Sequence, residues 1–187
     1  MKTDQLVSAL VADRAGTRSP LRRVLVFGTF AGVLVSLAVF AAEFGPRVDL
    51  ASAFRTWRFD LKLALVVLAI AAAFAACLSM ARPLPSHRWK PFAFVALAAA
   101  ATAVAVELLA LPRDEWTRRL VGTNALVCLT AIPLFALAPL FALLVVLRRA
   151  APWSPGLAGA AAGALAWAVA SAIYALHCFD DSPLFVL

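Results

Sequence analysis

The sequence AWAVASAIYALHCFDDSP, residues 166–183, decides the fold class because it joins an apolar run directly to a polar cluster. The cluster presents an imidazole, a thiol and two carboxylates within residues 177–181. An apolar run that ends in Asp, Ser and Pro, which are ordinary turn residues, is typical of a helix leaving lipid. The stretch therefore predicts a membrane helix with reactive side chains at its end.

The composition of the whole chain agrees with a membrane protein. Of its 187 residues 64% are hydrophobic, whereas a soluble domain has an apolar content nearer one half. A hydrocarbon core of about 30 Å needs about 20 apolar residues per helix. We predict an all-α, polytopic membrane bundle with short interfacial helices and five transmembrane spans, at about 24–42, 61–80, 92–111, 124–147 and 156–176.

Residues 1–23 form a polar tail, and residues 24–187 form the transmembrane domain. One face of a short helix in the tail is apolar, and such a helix is marginal in water unless a bilayer or a protein covers it. Whether the bilayer or a protein partner covers the apolar face stays open at this point. If the tail binds a protein partner, the residues expected to contact it are Asp4, Leu6, Val7, Leu10 and Val11.

The net charge of +7 does not indicate nucleic-acid binding, because the Lys and Arg residues flank the predicted spans. With the amino terminus inside, ten of the seventeen basic residues fall in inner segments. This bias predicts a cytoplasmic amino terminus and, with five spans, a carboxyl terminus on the outer side of the membrane. The outer segments then contain the other basic residues: Arg47, Arg55, Arg58, Lys62, Arg113, Arg118 and Arg119.

Two of the three cysteines are expected at the outer membrane face. Cys128 lies one turn inside the fourth span, and Cys178 follows the fifth, whereas Cys77 lies at the inner end of the second. Disulfides form outside the cytoplasm, where thiols are not kept reduced. We interpret Cys128 and Cys178 as a redox or metal-responsive pair and Cys77 as a small packing residue.

A metal site is a second interpretation of the same cluster. Thiolates beside the imidazole of His177 would suit copper, zinc or cadmium, bound transiently rather than as an obligatory cofactor. Glu107, Asp180 and Asp181 are candidates for additional ligands of the metal ion. Other interpretations remain open, because Glu107 could instead snorkel to the interface and residues 180–183 could simply terminate the helix.

Several segments resemble the NrsF family of bacterial membrane anti-sigma factors. The resemblance covers nearly the whole chain, and the stretch from His177 to Pro183 is its most specific part. The other matching segments are Met1-Lys2-Thr3-Asp4 with Leu6, Pro20-Leu21-Arg22-Arg23, Asn124 to Cys128 with Ile132-Pro133, and Leu147-Arg148-Arg149 with Ala151-Pro152.

The resemblance implies an inner-membrane protein that holds a SigF-type extracytoplasmic-function (ECF) sigma factor inactive on the cytoplasmic face. It implies release under heavy-metal or oxidative stress, sensed by cysteines that map to Cys128 and Cys178. It also implies six spans, one more than the sequence predicts here.

Three function classes follow from these observations. The preferred one is a regulator without catalysis, in which the fourth span, containing Pro133 and Pro139, shifts when the cysteines react. The alternative is an enzyme, a quinone-linked thiol oxidoreductase, although such enzymes usually have two outer cysteine pairs. A metal-transport subunit is the third, but the spans contain few polar ligands. No Gly-rich phosphate loop or HExxH motif is present.

Overall fold

The computed structural model describes residues 5, 21–84, 86–116, 122, 125–150 and 152–180. These residues are helical or lie in short connections, with no strand among them. The long helices are α1 (Leu21–Glu43), α3 (Trp57–Met80), α4 (Lys90–Ala110), α5 (Ala125–Arg148) and α6 (Pro155–Ala175), and α2 (Leu50–Ala53) is a single turn.

The predicted all-helical membrane architecture is confirmed. In the described residues, five helices are long and apolar enough to cross a membrane. Their outward faces carry large apolar side chains such as Phe27, Phe94 and Phe141. Exposure of such side chains is unfavourable in water but normal in contact with lipid. The chain is therefore a membrane-spanning bundle.

Helix α6 occupies the centre of the bundle. It packs against α3 on one side and α5 on the other, while α1 packs on α5 and α4 packs on α3. Small residues allow α6 to pack between two helices. Ala158, Ala162 and Ala170 are almost completely buried, and their short side chains let the neighbouring backbones approach.

Helices α1 and α5 touch backbone to backbone near the middle of the membrane. A Cβ atom added at Gly32 would lie 2.3 Å from Cα of Pro139. The ring of Pro139 removes the N–H that would otherwise bond the carbonyl of Phe135. The hydroxyl of Ser36 donates a 2.7 Å hydrogen bond to that carbonyl instead, so α5 remains helical through the proline.

The predicted interfacial helix before the second span is shorter than expected. The helical spacing of Leu50, Phe54, Trp57 and Leu61 predicts an interfacial helix that leads into the second span, but α2 ends at Ala53 and α3 already begins at Trp57. Thr56 between them has an extended backbone, with φ −104° and ψ 127°. The extended residue breaks the helix, so the apolar pattern continues across a turn.

The two ends of the bundle differ in character. We call the end where α6 finishes and α5 begins the cysteine end, and the opposite end, with Arg82 and Arg148, the arginine end. At the arginine end, the backbone N–H of Trp153 donates to the carbonyl of Arg82 at 3.4 Å. This bond joins the turn before α6 to the loop after α3.

Candidate functional site

Cys128 and Cys178 lie side by side at the cysteine end. Cys128 is in the first turn of α5, and Cys178 follows the last turn of α6. The side chain of Cys128 interacts directly with the Cys178 thiol and with the hydroxyl of Tyr174. Both thiols are free and buried, with 6% and 1% of the residue surface exposed.

Cys77 is separated from this pair. It lies near the end of α3, toward the arginine end, and is completely buried in the apolar core. Its surroundings are those of a small hydrophobic side chain. The structure therefore places two of the three thiols together and one at the other end of the bundle.

A buried lysine holds the segment that contains Cys178. Lys62 lies in the second turn of α3 with only 1% of its surface exposed. Its Nζ donates a 2.6 Å hydrogen bond to the carbonyl of Asp180, and its charge also acts on Cys128. The thiol of Cys178 approaches the same carbonyl at 3.9 Å. A charged side chain inside a span is costly, so its presence beside two thiols points to function.

Arg47 holds the same segment from the first loop. Its Nη1 donates to the carbonyl of Cys178 at 3.0 Å, and its backbone N–H donates to the carbonyl of Leu176 at 3.0 Å. Its guanidinium also lies 5.0 Å from the centre of the Phe179 ring. The turn after α6 is thus bound by two cations that come from different parts of the chain.

Asp49 fixes the orientation of the Arg47 guanidinium. Its two carboxylate oxygens accept hydrogen bonds from Nε and Nη2 of Arg47, at 2.7 and 2.8 Å. The bidentate hydrogen bond with Arg47 holds the pKa of Asp49 below its usual value. This geometry leaves Nη1 directed at Cys178.

His177 is held by the end of α1. Gly45 adopts a left-handed conformation with φ 68°, which suits a residue that follows a helix. Its carbonyl accepts a 2.9 Å hydrogen bond from Nδ1 of His177. The imidazole also makes an edge contact with Phe44, with ring centres 5.3 Å apart. With Nδ1 donating, Nε2 is the nitrogen left to act as an acceptor in the neutral ring.

The residues predicted as metal ligands are not gathered into one compact set. Within the described part of the chain, no group of three or more His, Cys, Asp or Glu side chains is arranged to hold a metal ion. Asp181 lies outside the described residues. A metal bound by the thiol pair stays a prediction.

Glu107 is buried in α4, with 3% of its surface exposed. Its Oε1 lies 3.8 Å from Nη2 of Arg58, a residue in the first turn of α3. This ion pair gives Glu107 a role in joining α4 to α3, and its predicted role as a helper at the cysteines remains untested. The predicted partner-binding residues Asp4, Leu6, Val7, Leu10 and Val11 also lie outside the described residues.

Lys62 and Arg47 are the residues of this site that the sequence analysis misses, because it counts both only as outer basic charges. A signal for Lys62 exists in the sequence. The lysine is followed by an apolar run that reaches Met80, so it falls inside the helix and not in the preceding loop. No comparable signal marks Arg47, because its contacts depend on how the first loop meets the end of α6.

Comparison with known proteins gives one family and one curated relative. The model of the NrsF family, described as "Negative regulator of sigma F", matches residues 10–187. A protein of Azospira oryzae, "Probable anti-sigma-F factor NrsF", is 29% identical over 195 aligned residues, covering 100% of this chain and 88% of the relative. No solved structure matches.

Proposed function

Since this chain belongs to the NrsF family of negative regulators of sigma F, we propose that it is a membrane-embedded anti-sigma factor for a SigF-type ECF sigma factor. In this proposal the sigma factor is held on the cytoplasmic face of the bacterial inner membrane. Heavy-metal or oxidative stress, sensed by Cys128 and Cys178 on the periplasmic side, releases it. The chain itself acts by binding and carries out no catalysis.

The single observation that supports sensing is the direct interaction of the two thiols beside a buried cation. Cys128 and Cys178 come from different helices, and their side chains interact with each other. Lys62 lies at the same place and holds the backbone next to Cys178. Each thiol must lose its proton before it reacts, because the thiolate is the reactive and metal-binding form of cysteine.

Two reactions are open to such a pair. With a peroxide as oxidant, each thiol loses a proton and an electron, a sulfur–sulfur bond forms, and the oxygen–oxygen bond breaks to give water or an alcohol with water. With copper, zinc or cadmium, each thiol loses a proton and the two thiolates bind the ion. Both reactions replace a contact between neutral groups by a bond that fixes α5 relative to the end of α6.

Helix α5 is the element that would carry this change across the membrane. It begins next to Cys128 and ends at Arg148, at the arginine end. Midway, Pro139 packs directly on Gly32 of α1, so a shift of α5 also moves α1. The cytoplasmic surface would then change at residues 82–91 and 148–155 and at the tail formed by residues 1–23. A two-state element of this kind is what coupling over such a distance requires.

Co-purification with the sigma factor tests the proposal. The full chain is solubilised from bacterial membranes together with its cognate sigma factor, with and without cadmium or peroxide. We expect the sigma factor to be retained without stress and lost after either treatment. Retention that is indifferent to both treatments would contradict sensing, and no retention in any condition would contradict the anti-sigma role.

Cysteine variants assign the response to the pair. Cys128→Ser and Cys178→Ser should each retain the sigma factor after cadmium or peroxide. Cys77→Ser is the matched control, because Cys77 is equally buried but lies away from the pair. It should respond as the unmodified chain does. A response that survives both Cys128→Ser and Cys178→Ser would refute the sensing proposal.

The alternative, a thiol oxidoreductase, differs in its products. An oxidoreductase would form mixed disulfides with periplasmic thiol proteins and turn over repeatedly. We expect neither, since within the described residues one thiol pair is available and the third cysteine is buried elsewhere. Trapping a mixed disulfide on the Cys128→Ser variant would favour the enzyme.

A further inference from the structure

We propose that the arginine end contains a binding site for one anionic phospholipid, with its headgroup between Arg82 and Arg88 and an acyl chain in an alanine-lined groove. This inference does not depend on the sigma factor or on the cysteines. It follows from two adjoining cavities that share the side chain of Trp89.

The headgroup cavity lies in the loop between α3 and α4 and has a volume of about 280 Å³. The hydroxyl of Ser79, at the end of α3, donates to the carbonyl of Ser86 and accepts from its N–H. These bonds fold the loop back on α3. The folded loop brings Arg82 and Arg88 to the wall of one cavity.

Three donors at this cavity are available to an anion. Within the described part of the chain, the guanidinium groups of Arg82 and Arg88 make no hydrogen bond or ion pair with another residue. The indole N–H of Trp89 is buried and also has no partner among the described residues. A buried donor without a partner is costly, so a turn of the indole toward the cavity, where its N–H could donate to a phosphate oxygen, would be favoured. Two cations and an N–H donor suit a phosphate better than a neutral group.

The second cavity continues from Trp89 along the membrane-facing side of the bundle. It has a volume of about 410 Å³ and lies between α3, α4 and α6. Helix α4 packs on α3, so a groove is left between α4 and α6. The groove is lined mainly by small side chains: Ala69, Ala76, Ala93, Ala96, Ala160 and Ala164.

An acyl chain is the occupant that fits this groove. The lining is apolar, so a polar ligand would lose its hydrogen bonds there. The headgroup cavity opens at the end of the helices, where phospholipid headgroups lie. Because the two cavities meet at Trp89, the combined site can hold both parts of a phospholipid. The phosphate lies in the headgroup cavity and an acyl chain lies in the groove.

Native mass spectrometry of the detergent-solubilised full chain tests this site. The chain is titrated with phosphatidylglycerol, which is anionic, and with phosphatidylcholine, which has no net charge. We expect one phosphatidylglycerol to bind with clear preference. Arg82→Gln combined with Arg88→Gln should weaken its binding by about 25-fold, since each cation near an anionic lipid contributes roughly a fivefold factor.

The control variant removes two arginines at the same end of the bundle. Arg22 and Arg23 are exposed at the start of α1 and do not line either cavity. Arg22→Gln combined with Arg23→Gln should leave the preference for phosphatidylglycerol unchanged. An equal loss in both double variants would overturn the proposal, because diffuse surface charge would then explain the binding. Unchanged binding in the Arg82 and Arg88 variant would also overturn it.

Two more variants test the indole and the groove separately. Trp89→Phe keeps an aromatic ring, although a smaller one, and removes the N–H donor, so it should weaken phosphatidylglycerol binding several-fold. Ala160→Phe fills the groove from an exposed position and should reduce the binding of both lipids. Ala98→Phe, exposed on α4 outside the groove, is its control. If Ala160→Phe bound phosphatidylglycerol as well as Ala98→Phe does, the groove would not be the binding site of the acyl chain.

Discussion

The hydroxyl of Ser36 in α1 donates a 2.7 Å hydrogen bond to the carbonyl of Phe135 in α5, across 99 residues of sequence. That carbonyl is the one left without a helical donor by Pro139, four residues later. Lipid offers no water to replace the missing bond. The proline is therefore tolerated inside the span because a neighbouring helix supplies the donor.

Removing the Ser36 hydroxyl should destabilise the bundle. Ser36→Ala leaves the Phe135 carbonyl buried and unpaired, which costs about 1–3 kcal/mol. The measurement is the free energy of unfolding in detergent. Thr102→Ala is the control, because the Thr102 hydroxyl bonds only to the carbonyl of Ala98 in its own helix at an exposed position. If Ser36→Ala were no more destabilising than Thr102→Ala, the hydrogen bond from Ser36 would not contribute to the free energy of unfolding.

A methyl group at position 32 should force α1 away from α5. In Gly32→Ala the new Cβ would meet Pro139 at 2.3 Å, a distance that backbone atoms cannot accept without moving. Overpacking of this kind costs about 1–3 kcal/mol. Gly163→Ala is the matched variant, since its Cβ would meet nothing within 4 Å, and its melting temperature should stay equal or rise. Equal melting temperatures for the two variants would contradict the close helix contact.

Neutralising Lys62 should loosen the segment that contains Cys178. Lys62→Met removes the charged donor to the Asp180 carbonyl, and a hydrogen bond to a charged group contributes about 1.5–3 kcal/mol. We expect lower stability and faster alkylation of Cys178 by a small maleimide. Lys90→Met, at an exposed position, should change neither. Alkylation at the rate of the unmodified chain would show that Lys62 does not hold this segment.

The Arg47–Asp49 ion pair should make stability depend on pH only in acid. The folded-state pKa of Asp49 lies below its usual value of 3.8, so its contribution is present above that value and is lost as the pH falls through the lower folded-state pKa. Asp49→Asn should therefore lower the melting temperature slightly at pH 7. The two proteins should converge in acid, once the pH lies below the folded-state pKa of Asp49. A difference that persists in strong acid would assign the effect to the shape of the side chain.

Sequence reasoning could predict the five long apolar helices because their apolar runs are long and are ended by Pro, Gly or charged residues. Helix α5 runs from Ala125 to Arg148, where residues 124–147 were predicted, and α6 differs by one residue at each end. The start of α3 was less accurate, since residues 57–60 read as part of an interfacial helix. The amphipathic first turn of a membrane helix and an interfacial helix have the same pattern of apolar residues. Only the extended backbone of Thr56 shows that residues 57–60 belong to α3.

The site was harder to predict because its contacts join distant segments. The sequence placed Cys128 and Cys178 at one depth, since each lies within a turn of a span's end, and the structure brings them side by side. The partners of His177 could not be anticipated. Its bond to Gly45 depends on the left-handed end of α1, and no local pattern reports which loop meets which helix.

The central position of α6 has a consequence for how the protein is made. The ribosome produces α1, α3, α4 and α5 before the helix that separates α3 from α5 in the finished bundle. Until α6 inserts, Cys128 has neither Tyr174 nor Cys178 beside it. The thiol pair can therefore form only after α6 has been made and has packed between α3 and α5.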